Sequence, residues 1–413
     1  MHRIWQPTMT NSSGGRRLDN WIAGFIAYTD NNEAPYLFKK WTAISCVAAA
    51  LQRKCRIEWG VGLTWFPNMY IVLVGPSSTR KGTAMGPGLE LLEAVGTIKL
   101  AANATSVQAL IKRLKETNYN DVDLETGSMI FHSSLTVFSK EFTVFLGYQN
   151  SPMITALCDW FDCDRKWKYE TISRQTEEII GVWVNLFGAT TPDLIRMSMP
   201  MEMIGGGLTS RIIYVVEGRK GKSVACPIMT DKESQLRDDL IYDLEKISLL
   251  SGNYKYTDRF MDKWIEFYHV NDDTPPDLGK YFDGYLGRRA VHVMKLSMIS
   301  CAARNKPLGQ NLTMDSKDLT WAIATIEEVE VNMRYVFKGV GKNPYADVMH
   351  QVITWLCESG RSEVSVQELY LRYQDDLDIM ALDRLIKSLE ITGKIKRIYT
   401  PGKLDSLLIL HSF

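Results

Sequence analysis

The sequence lacks an apolar run long enough to cross a bilayer, and it lacks an excess of charge of either sign. Its 413 residues include 48 Lys and Arg and 48 Asp and Glu, so the formal net charge is zero. A membrane role is therefore not expected. A nucleic-acid partner would have to be held by local basic patches, because the overall charge offers no attraction. Residues 1–15 are polar and unlike a secretory signal peptide, so we expect a cytoplasmic protein.

Cysteine and histidine are also scarce and scattered. The seven cysteines are an odd number, which argues against a disulfide framework in a cytoplasmic chain. Cys158 and Cys163 are separated by four residues, with no second Cys/His pair nearby, and the six histidines do not cluster. Buried cysteines that act as small hydrophobes are therefore expected rather than a zinc site.

The most informative stretch is an apolar run, predicted to be a buried strand, that ends at Gly75 and is followed six residues later by Lys81. This is the spacing of the phosphate-binding loop, G-x-x-x-x-G-K-[ST]. Such a loop turns backbone N–H groups and a helix N-terminus towards a polyphosphate, and its lysine reaches the outer phosphates. Two positions differ from the pattern, since Arg80 replaces the second glycine and Gly82 replaces the Ser or Thr.

The loop predicts a site for ATP and Mg²⁺. The candidate nucleotide-binding residues are Gly75, Ser78, Thr79, Arg80, Lys81, Gly82 and Thr83. Thr83 is also the candidate magnesium ligand, although it stands one position late for that role. The alternative is an ordinary strand, turn and helix that carry a surface lysine.

Two later predicted strands supply candidates for the same site. Residues 134–139 form the first, which is followed by Lys140 and Glu141. A second strand of a P-loop ATPase ends in acidic residues, one of which polarises the attacking water, and Glu141 suits that role. Lys140 stands where an aspartate is usual, and the alternative is an exposed glutamate. The other strand ends at Thr190 and Thr191, where RecA-like and AAA+ ATPases carry a polar sensor, and Thr190 is our candidate.

Arg211 follows a run of three glycines and precedes a fourth predicted strand. An arginine that opens a buried strand is unusual unless its guanidinium has an anionic partner. We expect Arg211 to reach a nucleotide phosphate, either in its own subunit or in a neighbour. The alternative is a structural salt bridge.

Basic and aromatic residues alternate in a segment predicted to be a hairpin or loop, residues 167–180. Lysines and arginines neutralise phosphates and aromatic rings stack on bases, which predicts contact with single-stranded DNA. The candidate DNA-binding residues are Lys166, Trp167, Lys168 and Arg174. An ordinary solvated hairpin with two half-buried aromatics is the alternative.

A helical pattern later in the chain places Arg288, His292 and Lys295 on one face, at positions i, i+4 and i+7. This face is interpreted either as a second contact for phosphate or DNA, or as a solvated surface.

The pattern of the whole chain predicts an α/β P-loop NTPase core, a helical region and a C-terminal winged helix. Residues 118–127 are expected to be a polar loop. Three helical patterns, residues 345–358, 365–373 and 380–392, precede two predicted strands, residues 395–399 and 407–410, which is the winged-helix order. The predicted domains are an N-terminal helical lead-in (1–65), the ATPase core (66–230), a helical domain (231–340) and the winged helix (344–413).

Taken together, these residues resemble a family of phage- and plasmid-encoded replication ATPases of helicase-like or primase–helicase type. The resemblance covers residues 21–342. It rests on the following features of this sequence: Pro35 and Trp41, Pro67 and Asn68, Gly75 and Lys81, residues 138–141, residues 187–192, Gly207 and Arg211, and Arg289, His292 and Lys295.

The resemblance implies a RecA/AAA+ core that hydrolyses ATP with Mg²⁺, often forms a homo-oligomeric ring such as a hexamer, and works on single-stranded or forked DNA. It places the protein in the cytoplasm of a bacterium or of a phage-infected host. The expected function is an ATP-dependent DNA-translocating or helicase-like replication protein. The alternatives are a DNA-binding initiator or loader that uses the nucleotide as a switch and hydrolyses little, and a scaffold whose loop has decayed.

Overall fold

The computed structural model describes residues 15–123, 126–171, 174–199, 204–307, 310–337, 352, 355, 363–374, 377–399 and 406–410. The chain divides into two compact units, residues 1–338 and 339–413. Within the described residues, no helix combines the length and apolar character needed to span a membrane. The predicted domain boundaries after residues 65 and 230 fall inside the first unit and stay predictions.

The helices of the first unit are α1 (Trp21–Tyr28), α2 (Tyr36–Leu51), α3 (Lys81–Ala94), α4 (Val107–Glu116), α5 (Phe142–Leu146), α6 (Ser151–Phe161), α7 (Pro192–Ser198), α8 (Asp231–Ser248), α9 (Asp258–Asp273), α10 (Asp283–Leu286), α11 (Arg289–Ala303) and α12 (Ser316–Met333). Its strands are β1 (Cys55–Gly60), β2 (Leu63–Trp65), β3 (Tyr70–Val74), β4 (Asn118–Val122), β5 (Met129–Ser139), β6 (Lys166–Thr171), β7 (Arg174–Ile180), β8 (Val182–Thr190), β9 (Ile212–Val216), β10 (Gly252–Asn253), β11 (Lys255–Tyr256) and β12 (Thr313–Met314).

A five-stranded sheet in the order β4-β5-β8-β3-β9 organises the first unit. The last four strands of that order are parallel, and β4 is antiparallel to β5. Every residue of β3 and β8 is buried, as expected for parallel strands that are covered on both faces. The predicted α/β class is confirmed.

The chain leaves neighbouring strands β3 and β8 in opposite directions across this sheet. From β3 it passes through α3 and α4 to β4 and β5 on one side, whereas from β8 it passes through α7 to β9 on the other. Such a topological switch point opens a crevice at the carboxyl ends of the two strands, where open α/β sheets bind ligands.

Local signals in the sequence set several of the helix ends. Ser106 accepts a hydrogen bond from the N–H of Ala109 and so caps the N-terminus of α4. Pro35 directly precedes α2 and separates it from α1. Helix α2 is buried almost all round, in keeping with its apolar sequence.

The polar loop predicted for residues 118–127 is wrong for its first part, because Asn118–Val122 forms strand β4. Its residues alternate between exposed and half-buried, as expected of a strand at a sheet edge. Pairing with β5 stabilises it, and Tyr119 stacks on His132 directly opposite, at 5.0 Å between ring centroids. The partner strand comes later in the chain, so the polar sequence of 118–122 alone does not reveal it.

The second unit contains strands β13 (Glu363–Ser365), β14 (Ile395–Tyr399) and β15 (Ser406–Leu410), with helices α13 (Val366–Tyr373) and α14 (Ile379–Ile391). Its sheet has the antiparallel order β13-β15-β14. The predicted helices over 365–373 and 380–392 and both predicted strands are confirmed, whereas β13 was not predicted. The helix predicted over 345–358 lies outside the described residues, apart from Val352 and Trp355.

Candidate functional site

The predicted phosphate loop connects β3 to α3 at the carboxyl edge of the sheet. Strand β3 ends at Val74, and α3 begins at Lys81. The N–H of Gly75 donates to the carbonyl oxygen of Thr190, 3.3 Å away, at the end of neighbouring β8. A Cβ atom on Gly75 would lie 2.5 Å from the carbonyl oxygen of Glu217. This position therefore requires glycine, because the main chains approach too closely for any side chain.

The Lys81 ammonium lies within the loop that precedes it. It donates to the carbonyl oxygens of Gly75 and Pro76, at 2.6 and 2.9 Å, and lies 3.5 Å from the hydroxyl of Thr79. Burial lowers the pKa of Lys81, and the carboxylate of Glu141 acts in the opposite direction. The loop lysine and the candidate base thus lie close enough to interact electrostatically.

The hydroxyl groups of the loop are less well placed for magnesium. Thr79 is buried and donates to the carbonyl oxygen of Pro76 at 2.7 Å, whereas Ser78 is exposed. Gly82 and Thr83 are exposed in the first turn of α3. Successive helix residues point about 100° apart, so Thr83 leaves the helix in a different direction from position 82. A Cβ atom on Gly82 would meet nothing within 4 Å, so a side chain fits there.

Arg80 occupies the position of the second loop glycine with the backbone that glycine favours. Its φ and ψ angles are +61° and +32°, in the left-handed region. Its Nε donates to Glu33 at 2.7 Å, and Glu33 also accepts from Lys220 at 2.6 Å. The Lys220 hydrogen bond, assisted by Arg80, lowers the pKa of Glu33 to about 2. An ion-pair network therefore holds the arginine in this strained conformation.

Glu141 and Thr190 reach the same edge of the sheet as the loop. In the parallel register Ser139 pairs with Gly188, and each candidate lies two residues further along its strand direction. Thr190 pairs with Val74, directly before the loop. Thr190 is buried, whereas Glu141 is exposed at the residue before α5. The structure thus brings together three candidates that lie far apart in sequence.

Arg211 lies at the opposite edge of the sheet. It directly precedes Ile212, which pairs with Tyr70 at the start of β3, whereas the loop follows Val74 at the other end. The intervening strand spans roughly 13 Å at 3.3 Å per residue. Within one chain, the structure does not bring Arg211 to the loop.

The guanidinium of Arg211 has an anionic partner in its own chain. Its Nη2 lies 2.6 Å from the Oδ2 of Asp162, and Nη1 donates to the carbonyl oxygen of Gly207 at 3.0 Å. The side chain is 11% exposed and lies over the ring of Phe161. The salt bridge considered as the alternative is therefore present.

Strands β6 and β7 form the hairpin expected for the candidate DNA-binding segment. Lys166 and Lys168 share Glu178 as their ion-pair partner, at 3.1 and 3.5 Å. Trp167 stacks on Tyr169, with ring centroids 5.9 Å apart. Because successive strand residues point to opposite faces, the lysines and the aromatic rings lie on different faces of the hairpin.

The aromatic face of this hairpin packs on α6. Trp167 donates from Nε1 to Asp159 at 3.2 Å and meets the ring of Trp160 edge-on. Arg174 begins the second strand of the hairpin. One face of the hairpin therefore offers cations and the other offers rings, so a single DNA strand would meet one set at a time.

Two acidic residues near the loop were not predicted. Glu217 directly follows β9, and its N–H donates to the carbonyl oxygen of Val74 at 3.0 Å. Burial raises the pKa of Glu217, and the charge of Glu328 adds to that effect. The end of the fourth predicted strand could have indicated Glu217. Glu33 gave no such signal, because it lies in the connection between α1 and α2.

Within the described residues, no group of three or more His, Cys, Asp or Glu side chains is arranged to hold a metal ion. No protein-family model matches the chain, and no curated protein sequence matches it significantly.

Proposed function

We propose that this chain is an ATP-dependent DNA-translocating or helicase-like replication protein built on a P-loop ATPase core. One observation carries the proposal: Lys81 and its loop, Glu141 and Thr190 converge at the carboxyl edge of a mostly parallel sheet, beside the switch point between β3 and β8. This edge is where open α/β sheets bind nucleotides.

The loop residues fit a polyphosphate. At Gly75 the main chains approach closely, and α3 begins at the end of the same turn. The free N–H groups at the start of this helix therefore suit an anion bound in the turn. Lys81 supplies the cation that neutralises the outer phosphates. Mg²⁺ in such sites is held mostly by phosphate and water with one or two carboxylates, so it needs no large cluster of acidic ligands, and the described residues contain none. Thr83 is the proposed hydroxyl ligand.

Each remaining candidate has a distinct proposed role. Glu141 orients and polarises the attacking water, since its carboxylate is exposed at the edge where the loop lies. Thr190 is the polar sensor beside the loop strand. Arg211 lies at the far edge of its own sheet, so its proposed contact with a nucleotide would be made across a subunit boundary. This role requires a homo-oligomeric ring, such as a hexamer, as the working assembly.

DNA is the proposed partner, in single-stranded or forked form. The lysine face of the β6–β7 hairpin supplies Lys166 and Lys168, and Arg174 lies on the facing strand. The second unit, with β13, α13, α14 and the β14–β15 pair in the order typical of winged helices, offers another DNA-binding surface.

A second candidate function is a nucleotide-switched initiator or loader that hydrolyses little ATP. It is favoured by Gly82, because the position that usually supplies the magnesium-binding hydroxyl carries no side chain. The pairing of Arg211 with Asp162 favours it also, since the guanidinium would first have to leave that carboxylate.

The test is an ATPase assay with and without single-stranded DNA. We expect Lys81→Ala to abolish turnover, because it removes the loop cation. Lys99→Ala is the matched control, since Lys99 is an exposed lysine that also donates to a main-chain carbonyl. Turnover stimulated by DNA supports the motor, whereas ATP binding without turnover supports the switch. Full activity of Lys81→Ala would show that the loop is not the site.

A mixing experiment tests the role of Arg211. Arg211→Ala should bind ATP but not hydrolyse it, and mixing it with Lys81→Ala should restore some activity. In mixed assemblies an intact Lys81 meets an intact Arg211 from the neighbouring subunit. If the mixture stays inactive although the two variants demonstrably co-assemble, Arg211 has no role across the interface.

A further inference from the structure

A second pocket lies at the amino-terminal edge of the sheet, opposite the phosphate loop. Its volume is about 250 Å³. The walls come from three places: residues 62–66 around β2, the end of α6 with Phe161 and Asp162, and the start of α11 with Arg288 and Lys295. Asn68, two residues before β3, lies at its base. The pocket is therefore separate from the proposed ATP site.

Lys295 is the most unusual group in this pocket, because it is a lysine with only 3% of its surface exposed. Its ammonium donates to the side-chain and main-chain oxygens of Asn68, at 2.7 and 3.2 Å, and lies 3.8 Å from the ring centroid of Phe161. A buried cation is costly unless an anion compensates it. Among the described residues, no carboxylate forms an ion pair with Lys295.

The other charges of the pocket leave it positive. Arg288 is half-buried at its rim and, within the described part of the chain, also has no ion-pair partner. Asp162 is the carboxylate in the wall, and Arg211 already neutralises it at 2.6 Å. Two cations therefore share an enclosed space without a matching negative charge.

Titration of Lys295 falls close to neutral pH. Burial lowers its pKa to about 8, the nearby Cys163 and Asp162 raise it, and Arg211 lowers it further. Arg288 and His292 face it from its own helix, and burial keeps His292 neutral by lowering its pKa to about 3. At pH 7, below this pKa, Lys295 carries its charge, and an anionic partner would stabilise it.

We propose that this pocket binds a phosphoryl group through Arg288 and Lys295. The planar fork of the arginine suits two oxygens of a phosphate, and the ammonium supplies a compact charge behind it. The walls at Trp65 and Phe161 accommodate the organic body that carries the phosphate. A phosphorylated strand end and a free nucleotide present the same group. Phosphate binding in this pocket does not depend on ATP hydrolysis at the loop, so this proposal can be tested independently of the proposed ATPase function.

The test uses Lys81→Ala as background, because this substitution removes the loop cation and so weakens phosphate binding at the loop. Isothermal titration with inorganic phosphate at pH 7 and constant ionic strength then reports the second pocket. We expect Lys295→Met and Arg288→Gln each to raise the Kd about 10- to 100-fold, the factor for one charge-assisted hydrogen bond. Lys112→Met, at an exposed lysine on α4, is the matched control and should leave the Kd unchanged.

Arg288→Gln keeps the test valid if the buried substitution at Lys295 prevents folding, since Arg288 is only half-buried. Competition by a nucleoside monophosphate would identify a free nucleotide as the source. Tighter binding of a 5′-phosphorylated than a 5′-hydroxyl oligonucleotide, lost in Arg288→Gln, would identify a strand end. The proposal is overturned if the Lys81→Ala protein binds no phosphate, or if Arg288→Gln binds it as tightly as the background.

Discussion

Substitutions at Arg80 should reveal the backbone strain stored in the phosphate loop. At φ +61° a non-glycine residue costs roughly 1–2 kcal/mol, a cost that glycine avoids. Glycine also makes the unfolded chain more flexible, which costs about 0.4–1 kcal/mol. Arg80→Gly should therefore be more stable than Arg80→Ala by about 1 kcal/mol. Both variants lose the ion pair with Glu33, so this comparison isolates the backbone.

The assay is thermal unfolding of the two variants, with an expected difference of about 2 °C for a unit of this size. Lys112 is the matched control, because it is exposed in the middle of helix α4. There the order should reverse, with Lys112→Ala more stable than Lys112→Gly by about 1 kcal/mol. If Arg80→Ala equals or exceeds Arg80→Gly while the control behaves as expected, residue 80 does not adopt the left-handed conformation in solution.

Three further predictions concern magnesium, DNA and pH. Gly82→Ser should lower the Mg²⁺ concentration needed for ATPase activity, because a side chain fits at that position. Thr83→Ala should raise that concentration. If neither variant changes the Mg²⁺ requirement, phosphate and water alone hold the ion. Replacing Lys166 and Lys168 by Gln should reduce the log–log salt slope of single-strand binding by about 1.4, at 0.7 for each lost phosphate contact, and an unchanged slope would assign binding elsewhere. Phosphate binding in the second pocket should weaken as pH rises through 8, where Lys295 loses its proton. Between pH 8 and 10.5 the unfolded chain holds a proton at Lys295 that the folded chain has released, so the parent should gain stability relative to Lys295→Met; a flat difference in urea titrations would contradict this.

The sequence predicts those parts of the site that follow apolar runs. Lys81 and Glu141 come shortly after buried strands and Thr190 is the last residue of one. The carboxyl ends of parallel strands meet at one edge, so their convergence could be expected. Strand β4 could not be, because its polar residues are stabilised by pairing with a strand later in the chain.

Contacts between distant residues account for the remaining surprises. Arg211 pairs with Asp162, 49 residues away, and Arg80 pairs with Glu33, 47 residues away. Neither carboxylate belongs to a recognisable motif, and only the folded chain brings each to its arginine. The i, i+4, i+7 spacing predicted one shared face for Arg288, His292 and Lys295. It did not show that the end of α6 and Asn68 cover Lys295.

The bonds of the Lys81 ammonium also affect how tightly ATP can bind. Two of the three N–H groups of this ammonium already donate to the carbonyl oxygens of Gly75 and Pro76, so a phosphate that takes either of them must replace a carbonyl oxygen. The measured affinity is then the intrinsic affinity multiplied by the fraction of molecules in which that N–H group is free of its carbonyl oxygen. Lys81→Ala removes the contact with phosphate and also the hydrogen bonds to the loop that compete with it. The loss of affinity in this variant therefore understates the strength of the contact between lysine and phosphate.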